Sequence, residues 1–355
     1  MSAPILIMAG GTGGHIFPGI AVARELRTRG IPVVWLGGNA GLETRLVPQA
    51  GFELETISFS GVRGKGLMTL VMAPWRLLRA VFAARAVMRR VHPGSVLSMG
   101  GYAAAPGGIA AWLARVPLVV HEQNRVAGFT NRLLARFAQR VLAGFADALP
   151  NADWVGNPVR AEIAALPTPR ERIADRDGAL RVLVLGGSQG AKSLNTLLPQ
   201  VFQRRGHSLQ LAIRHQCGAR HLEQTVSAYA AADVAADVAA FIDDMAAAYA
   251  WADLVICRAG ALTLAELCAA GVGAILVPYP AAVDDHQTRN AEVLVQAGAA
   301  RRVSEGDDFV KNLGAQLDDL ARERLRLLTM ANAARALARP DAAARIADIC
   351  VEVCA

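Results

Sequence analysis

Short runs rich in Val, Ile and Leu recur through the whole chain, and each is followed by a turn and a stretch with helical periodicity. In the first half these runs are Ile5–Met8, Val33–Leu36, Val96–Met99 and Leu118–His121. In the second half they are Arg181–Leu185, Leu209–Ile213, Leu254–Cys257 and Ala274–Val277. Such alternation predicts parallel sheets, because two parallel strands need a crossover helix between them. We therefore predict an α/β protein of two doubly wound, Rossmann-like domains.

Proline residues interrupt this pattern near the middle of the 355-residue chain, at Asn157-Pro158 and Pro167-Thr168-Pro169. The segment Arg170–Gly178 is polar and lacks a buried pattern, so we place the hinge near residues 158–168. We expect an N-terminal domain at 1–160, a C-terminal domain at 161–340 and a terminal helix within 341–355, whose packing partner the sequence leaves open. Ligands bind beyond the carboxyl ends of parallel strands, so we expect the functional site in a cleft between the domains.

One uncharged stretch, Val91–Ala114, is long enough to span a membrane. Its prolines and glycines would break a spanning helix, so we interpret it as a strand, a glycine loop and a helix. Pro4–Ala9 leads straight into glycines and lacks the features of a signal peptide, which predicts a cytoplasmic protein. Five cysteines without a CxxC pair predict reduced thiols and no zinc site.

Positive charge is concentrated in the first half. Residues 1–160 hold 17 Lys and Arg against 7 Asp and Glu, a net charge of +10, whereas residues 161–355 carry −3. This asymmetry indicates an anionic partner for the N-terminal domain, either nucleic acid or an anionic membrane leaflet. A nucleic-acid binder would show clustered Lys and Arg interleaved with exposed aromatics. Aromatic residues make up only 5% of the chain, and no such cluster is present.

Three glycine loops follow predicted strands: Gly10–His15, Gly100–Gly101 with Gly107–Gly108, and Gly186–Gly190. One such loop is commonly just a tight turn, but three favour close approach of the backbone to a phosphate ligand. A dinucleotide site would need an acidic residue at the end of the second strand, where this chain has Leu36-Gly37-Gly38-Asn39. The P-loop pattern is also absent, so the loops are expected to bind another kind of phosphate.

Several ordered motifs resemble those of the MurG glycosyltransferases over nearly the full length. They are Gly10–His15, Ser60–Lys65, Met99–Gly108, His121–Asn124, Gly156–Arg160, Gly186–Gly190, Phe241–Met245 and Arg258–Glu266. The resemblance implies the glycosyltransferase B architecture and transfer of N-acetylglucosamine from UDP-N-acetylglucosamine to the C4 hydroxyl of the muramyl-pentapeptide of lipid I, giving lipid II. Expected partners are the two substrates, an anionic membrane surface and other cell-wall synthesis proteins, with no nucleic acid.

The resemblance also implies a donor site in the C-terminal domain. Uracil lies against the backbone of Ile242, Glu266 holds the ribose, and Arg160 offsets the charge that develops on departing UDP. Gln287 reads the sugar hydroxyls, beside His286, where the family often has a second Gln. The other implied donor contacts are Thr12, Gly13, Gly14, Asn124, Ser188, Ala261, Leu262, Thr263, Leu264 and Ala265.

Inversion at the anomeric carbon requires a base for the acceptor hydroxyl, and His15 is the leading candidate. A histidine at this position also suits phosphate binding or helix capping. Glu122 has two possible roles, orienting the base or pairing with Arg125. Tyr102, Gly101 and Gly107 are expected to cradle the acceptor diphosphate. No Asp-x-Asp pair follows a strand, so no tightly held metal is expected, although Mg²⁺ stimulation fits the diphosphates.

The segment from Leu67 to Arg90 has the pattern of an interfacial helix. Leu67, Leu70, Val71, Trp75, Leu78 and Phe82 share one face, with Arg76, Arg79 and Arg90 towards the other. The alternative is a stripe packed on the protein's own sheet. With the lipid-linked acceptor, the pattern favours a peripheral enzyme on the cytoplasmic face of the bacterial inner membrane. The rival functions are a sugar epimerase or a transferase that uses the same donor and another acceptor.

Overall fold

A computed structural model describes residues 3–59, 72–187, 190–205 and 209–354. These residues form two compact units. The first contains the described residues up to Val159 together with those from Arg339 onward, and the second is Arg160–Ala338. The predicted motif Ser60–Lys65, the residues Leu67, Leu70 and Val71, and Ser188 lie outside the described residues. No helix in the described ranges is both long and apolar enough to cross a lipid bilayer.

The first unit is built on a parallel sheet of seven strands in the order β3-β2-β1-β4-β5-β6-β7. The strands are β1 Ile5–Ala9, β2 Val33–Gly38, β3 Glu53–Ile57, β4 Ser95–Gly100, β5 Leu118–Glu122, β6 Arg140–Ala143 and β7 Asp153–Trp154. Its helices are α1 Gly13–Thr28, α2 Glu43–Gln49, α3 Ala73–Val91, α4 Ala104–Ala114 and α5 Phe129–Leu134. Every residue of β1, β4 and β5 is buried, as expected for strands covered by helices on both faces.

The second unit is built on a parallel sheet of six strands in the order β10-β9-β8-β11-β12-β13. The strands are β8 Leu180–Leu185, β9 Leu211–Gln216, β10 Asp237–Ala239, β11 Leu254–Cys257, β12 Gly273–Leu276 and β13 Ala300–Arg302. The helices are α6 Ala161–Ala164, α7 Pro169–Ile173, α8 Lys192–Gln203, α9 Leu222–Ala231, α10 Met245–Trp251, α11 Ala261–Ala270, α12 His286–Gln296, α13 Phe309–Arg322 and α14 Arg324–Ala336, with short 3-10 turns at Ala219–His221 and Val283–Asp285. The prediction of two doubly wound α/β domains is confirmed.

The terminal helix α15, Ala342–Glu352, belongs to the first unit. It packs on α1, and Ile346, Ala347 and Cys350 are fully buried in the core that also contains β1 and β4. The Ser95 hydroxyl donates a hydrogen bond to the Cys350 carbonyl at 2.8 Å. The packing partner that the sequence left open is therefore the sheet of the first unit.

The polar segment Arg170–Gly178 is more ordered than its sequence suggested. It contains most of α7, where Arg172 is only 8% exposed. The Arg172 guanidinium donates to the carbonyls of Ala270 and Gly271 and so satisfies the carboxyl end of α11. Burial lowers the pKa of Arg172 to about 10. The expectation of a segment without buried positions is wrong, because an arginine here fills a core position through its hydrogen bonds.

Candidate active site

A buried carboxylate shapes the first glycine loop, Gly10–His15, which connects β1 to α1. Glu43 begins α2 and is only 1% exposed. Its Oε2 accepts the Gly11 N–H at 3.0 Å, and its Oε1 accepts the Gly38 N–H at 2.9 Å. A Cβ on Gly10 would lie 2.6 Å from the same Oε1, so only glycine fits there. The Gly11 amide is therefore committed to Glu43 and is not available to a phosphate.

His15 lies in the first turn of α1, half-buried beside the end of β4. Its Nδ1 is 3.3 Å from the Thr12 hydroxyl. A Cβ on Gly100 would lie 3.0 Å from the Cδ2 and 3.1 Å from the Nε2 of His15, so this glycine makes room for the imidazole. In the tautomer that donates its Nδ1–H to Thr12, Nε2 carries the lone pair that a general base needs. The arrangement suits proton abstraction by His15.

The second glycine loop, Gly100–Tyr102, packs directly on the first. A Cβ on Gly101 would overlap the carbonyl oxygen of Gly10, so the two loop backbones are in contact. The Tyr102 ring covers Gly11, and half of its surface remains exposed. The two loops thus form one surface at the carboxyl ends of β1 and β4. It brings together the predicted residues Thr12, Gly13, Gly14, His15, Gly101 and Tyr102.

Gly107, which was predicted to contact the acceptor, lies inside α4 instead. It is buried, and its N–H donates to the Ala103 carbonyl at 3.0 Å. A Cβ at this position would overlap the Met8 sulfur, so the glycine allows α4 to pack closely on β1. The structure thus gives Gly107 a packing role, and its predicted acceptor contact stays a prediction. A glycine pair after a strand does not by itself distinguish a ligand-binding loop from a close contact between helix and sheet.

Glu122 organises the loop that follows β5. It is 2% exposed, and its Oε1 accepts from the backbone N–H of Asn124 at 2.9 Å and from the Asn124 side-chain amide at 3.2 Å. Its Oε2 accepts from the Gly128 N–H at 3.1 Å and from Asn131 Nδ2 at 2.9 Å. The Arg125 guanidinium donates instead to the carbonyl of Asp147. These contacts make Glu122 the residue that orients Asn124.

The third glycine loop, at the end of β8, is held by Gln216. The Gln216 Oε1 accepts the Gly187 N–H at 3.0 Å, and its Nε2 donates to the Gly187 carbonyl at 2.9 Å. Gln216 ends β9 and is 5% exposed, so the loop backbone is pinned from the neighbouring strand. These contacts fix the position of Gly187, which directly precedes Ser188 in the sequence.

The N-terminus of α11 lies at the carboxyl end of β11. Gly260 is the N-cap, and the first amides of the helix, those of Ala261, Leu262 and Thr263, have no acceptor within the helix. Such amides and the positive end of the helix dipole suit a phosphate group. Leu264 differs, because its side chain is fully buried and its N–H donates to the Gly260 carbonyl at 3.0 Å. The predicted donor contact at Leu264 stays a prediction. Ala265, one residue further into the helix, is partly buried.

Glu266 projects from the second turn of α11 and is held at both carboxylate oxygens. Arg160 donates to Oε1 from Nη2 at 2.8 Å and from Nε at 3.2 Å. The Tyr249 hydroxyl donates to Oε2 at 3.0 Å. The Glu266 side chain is 18% exposed and the Arg160 side chain 42% exposed. Two residues predicted to act on the donor are therefore neighbours within the second unit.

Gln287, in the first turn of α12, is oriented by the loop after β12. Its Oε1 accepts the Tyr279 N–H at 2.9 Å. Arg258 lies under the Tyr279 ring, 5.3 Å from its centroid, and donates to the Val277 carbonyl at 3.0 Å. Arg258 also pairs with Glu305 at 2.6 Å. This partly buried guanidinium therefore supports the loop that positions Gln287. His286, directly before Gln287, begins α12 and is half-buried.

Ile242 lies in the loop between β10 and α10 and is half-buried. The loop ends in an N-cap, where the Asp244 side chain accepts the Ala247 N–H at 2.8 Å. This cap fixes the backbone that the resemblance assigns to uracil. Within the described ranges, no three His, Cys, Asp or Glu side chains lie close enough together to hold a metal ion.

Comparisons with known proteins agree with one another. Residues 5–143 match the glycosyltransferase family 28 N-terminal domain, and residues 181–346 match its C-terminal domain. The chain is 58% identical over 349 residues to the UDP-N-acetylglucosamine–N-acetylmuramyl-(pentapeptide) pyrophosphoryl-undecaprenol N-acetylglucosamine transferase of Xanthomonas axonopodis pv. citri (strain 306), covering 98% of this chain and 82% of that protein. The protein of the same name from Xylella fastidiosa (strain M12) is 57% identical over 350 residues, with 98% and 96% covered. The crystal structure of Acinetobacter baumannii MurG matches with a TM-score of 0.88 and 39% identity, covering 99% of this chain and 100% of that one.

The chain belongs to the MurG family. In this MurG-family chain, sequence reasoning named residues of the loops as candidate ligand contacts but missed three supporting side chains. These are Glu43, Gln216 and Tyr249, all buried polar residues that hold a loop or a carboxylate in place. A detectable signal existed for Glu43, which is an acidic residue in the first turn of a helix, preceded by Gly37, Gly38 and Gly41.

Proposed function

We propose that this chain transfers N-acetylglucosamine from UDP-N-acetylglucosamine to the C4 hydroxyl of the muramyl-pentapeptide of lipid I, with inversion, to give lipid II. The proposal rests on near-full-length similarity to the Xanthomonas and Xylella proteins, which are named as transferases for this reaction. The chain is an N-acetylglucosamine transferase of the glycosyltransferase 28 fold. The reaction is the last intracellular step of peptidoglycan precursor synthesis.

The donor binds to the second unit. The free amides at the start of α11 face the diphosphate, Glu266 accepts hydrogen bonds from the ribose hydroxyls, and the backbone at Ile242 reads uracil. Gln287 contacts the sugar hydroxyls, because its amide both donates and accepts. The order imposed on these groups by Tyr279 and Asp244 supports this assignment. Thr12, Gly13, Gly14 and Asn124 remain further proposed donor contacts, and Ser188 a proposed phosphate contact.

The chemical step needs a proton acceptor and stabilisation of the leaving group. As the acceptor oxygen attacks the anomeric carbon, His15 Nε2 takes the hydroxyl proton and the bond to the UDP oxygen breaks. Arg160 and the amides of α11 offset the negative charge that develops on UDP. The acceptor diphosphate binds to the loop surface that carries Gly101 and Tyr102, where backbone amides and a phenol are available.

We also propose that catalysis requires no tightly bound metal, because a guanidinium and a helix N-terminus can supply the positive charge that a cation would otherwise provide. After treatment with EDTA and gel filtration, the enzyme should retain most of its activity in metal-free buffer. Added Mg²⁺ should raise the activity by only a few fold, through the diphosphates. Loss of all activity, restored by a stoichiometric cation, would contradict the proposal.

We place the enzyme at the cytoplasmic face of the bacterial inner membrane, as a peripheral protein that reaches its lipid-linked acceptor there, alongside other cell-wall synthesis proteins. Helix α3 supports this proposal. Trp75, Leu78 and Phe82 are 57%, 45% and 60% exposed, while Arg76 and Arg79 beside them are also exposed. Exposed apolar side chains beside arginines suit the headgroup region of an anionic leaflet.

One assay tests the central proposal. Purified protein is incubated with radiolabelled UDP-N-acetylglucosamine, with and without a short-chain analogue of lipid I, and UDP and labelled disaccharide are quantified. We expect disaccharide and UDP in equal amounts, only when the acceptor is present. Epimerised donor in the absence of acceptor, or donor binding without turnover, would overturn the acceptor assignment.

A further inference from the structure

A buried tyrosine contacts the carboxylate that is proposed to read the donor ribose. Tyr249 lies on α10 and is fully buried. Its hydroxyl donates to Glu266 Oε2 at 3.0 Å. Tyr249 and Glu266 come from different helices, α10 and α11, so this contact fixes the carboxylate relative to the neighbouring loop that contains Ile242.

The two partners of Glu266 differ in how readily they can be replaced. Arg160 makes both of its contacts with Oε1, and its side chain is 42% exposed, so ligand hydroxyls can replace it there. Tyr249 has no such freedom, because its ring is enclosed by protein. A carboxylate oxygen can accept two hydrogen bonds, so Oε2 can accept one more in addition to the hydrogen bond from Tyr249.

From this geometry we infer that Tyr249 is a positioning residue for donor recognition, which aims the Glu266 carboxylate at the ribose hydroxyls and thereby sets selectivity for ribose over deoxyribose. The inference rests on the proposed function. Because Tyr249 is enclosed by protein and its hydroxyl contacts Glu266, it acts through Glu266.

The protonation state of the phenol agrees with this role. Burial and the adjacent Glu266 carboxylate raise the pKa of Tyr249 well above its ordinary value. The hydroxyl therefore stays protonated at neutral pH and can donate its hydrogen bond there.

The second unit offers a matched control. Tyr229 is also buried, at 3% exposure, and its hydroxyl pairs with His215 Nδ1 at 2.9 Å. The variants Tyr249→Phe and Tyr229→Phe remove the same atom from equally enclosed rings. Only Tyr249→Phe removes a contact with Glu266. An effect that comes merely from altered packing or from losing a buried hydroxyl should therefore appear in both variants.

The experiment compares both variants with the wild type in the disaccharide assay. KM for UDP-N-acetylglucosamine and kcat are measured, together with the inhibition constants of UDP and 2′-deoxy-UDP. We expect Tyr249→Phe to raise KM about tenfold, the effect of losing one hydrogen bond to a charged group, with kcat changed less than about twofold. The preference for UDP over 2′-deoxy-UDP should fall by a similar factor. Tyr229→Phe should leave both quantities at their wild-type values.

Disaccharide formation by the wild type tests the proposed function separately from the role of Tyr249. If the wild type forms no disaccharide, the proposed function is overturned. If the wild type is active but does not prefer UDP to 2′-deoxy-UDP, or if Tyr249→Phe keeps the wild-type KM and preference, the role of Tyr249 is overturned. Equal effects of the two tyrosine variants would also overturn it. In a Glu266→Gln background, Tyr249→Phe should have less than half of its effect on KM, since both changes act on one contact.

Discussion

The side chains that support the site contact residues far away in the sequence. Gly11 and Glu43 are 32 positions apart, Gly187 and Gln216 are 29 apart, and Tyr249 and Glu266 are 17 apart. Sequence patterns identify the glycine or the carboxylate at one end of each contact, because local spacing carries that signal. The partner is determined by strand order, so it becomes visible only when the sheet is assembled.

The Glu43 contact can be tested by Glu43→Gln. The amide retains one acceptor oxygen but presents an NH₂ group to the second backbone N–H, which leaves a buried donor unsatisfied. We expect a loss of about 2 kcal/mol in the free energy of unfolding and weaker activity, measured by urea denaturation and the disaccharide assay. The control Glu25→Gln breaks an exposed ion pair with Arg29 and should cost less than about 1 kcal/mol. Equal stability of the two variants would argue against a structural role for Glu43.

For His15, the prediction concerns rate. His15→Asn removes the proposed base, and kcat should fall by about 10² to 10⁴ while KM for the donor changes little. His92→Asn is the control, because His92 is an exposed histidine of the same unit, at the end of α3. Full kcat in the His15 variant would show that another group accepts the proton.

At the scale of elements, the sequence predicts buried strands well and edge strands poorly. The eight runs of Val, Ile and Leu all contain strands, and Val91–Ala114 is strand, glycine loop and helix as predicted. Strands β3, β6, β7, β10 and β13 were not predicted, because they are short or because charged residues such as Glu53, Arg140 and Arg301 interrupt their apolar runs. These strands lie at or next to the edges of their sheets, where part of the strand is exposed to solvent.

Helix α3 shows why hydrophobic size does not identify the buried face. The small and medium residues Ala80, Val81, Ala84, Val87 and Met88 are buried, whereas the largest apolar side chains face outward. Periodicity finds both stripes, but only packing against the neighbouring helix α4 decides which one is enclosed. The predicted stripe Trp75, Leu78 and Phe82 is the exposed one.

This exposed stripe leads to a prediction about membrane binding. Replacing Trp75, Leu78 and Phe82 together with Ser should reduce binding to phosphatidylglycerol vesicles by about tenfold or more, because each side chain loses apolar burial in the membrane. The free energy of unfolding should change little, since none of the three is in the core. Flotation with vesicles measures binding. Val226→Ser with Leu325→Ser, two exposed apolar residues of the second unit, is the control. Unchanged flotation of the triple variant would remove α3 from the membrane contact.

For the whole molecule, the sequence predicts the number and class of the two units, because both depend on the repeated alternation of strands and helices. The bounds of the units differ from a division of the chain into two consecutive segments. The first unit ends at Val159 and resumes at Arg339, so the second is inserted within it. A short apolar helix such as α15 fits either sheet by composition, and its partner is decided by the core positions left open on α1 and β4.

Stability of the whole chain should depend on pH through buried histidines. Burial lowers the pKa of His215 to about 4, and its ring pairs with Tyr229 and Asn195 in neutral form. The unfolded chain takes up this proton near pH 6.5, so the contribution of His215 is complete above that pH. As the pH falls from 6.5 to 4 it is lost, at roughly 1.4 kcal/mol per pH unit. Burial also lowers the pKa of His121, with the same sign.

Urea denaturation at several pH values between 7.5 and 4.5 tests this prediction. His215→Asn should make the unfolding midpoint less dependent on pH than in the wild type, with the remaining slope due to His121 and the carboxylates. His92→Asn should leave the dependence unchanged, since His92 is exposed. A wild-type slope in the His215 variant would contradict the assignment.

The position of α15 also sets an order of events during protein synthesis. The ribosome makes this helix after all the described strands, yet Ile346, Ala347 and Cys350 complete the core of the unit whose strands are made first. The second unit has all of its described strands and helices once Ala338 has emerged, whereas the first keeps an apolar surface on α1 and β4 uncovered until α15 has been made. A nascent chain that stalls between Ala338 and Glu352 would therefore expose the older half of the protein to chaperones and proteases.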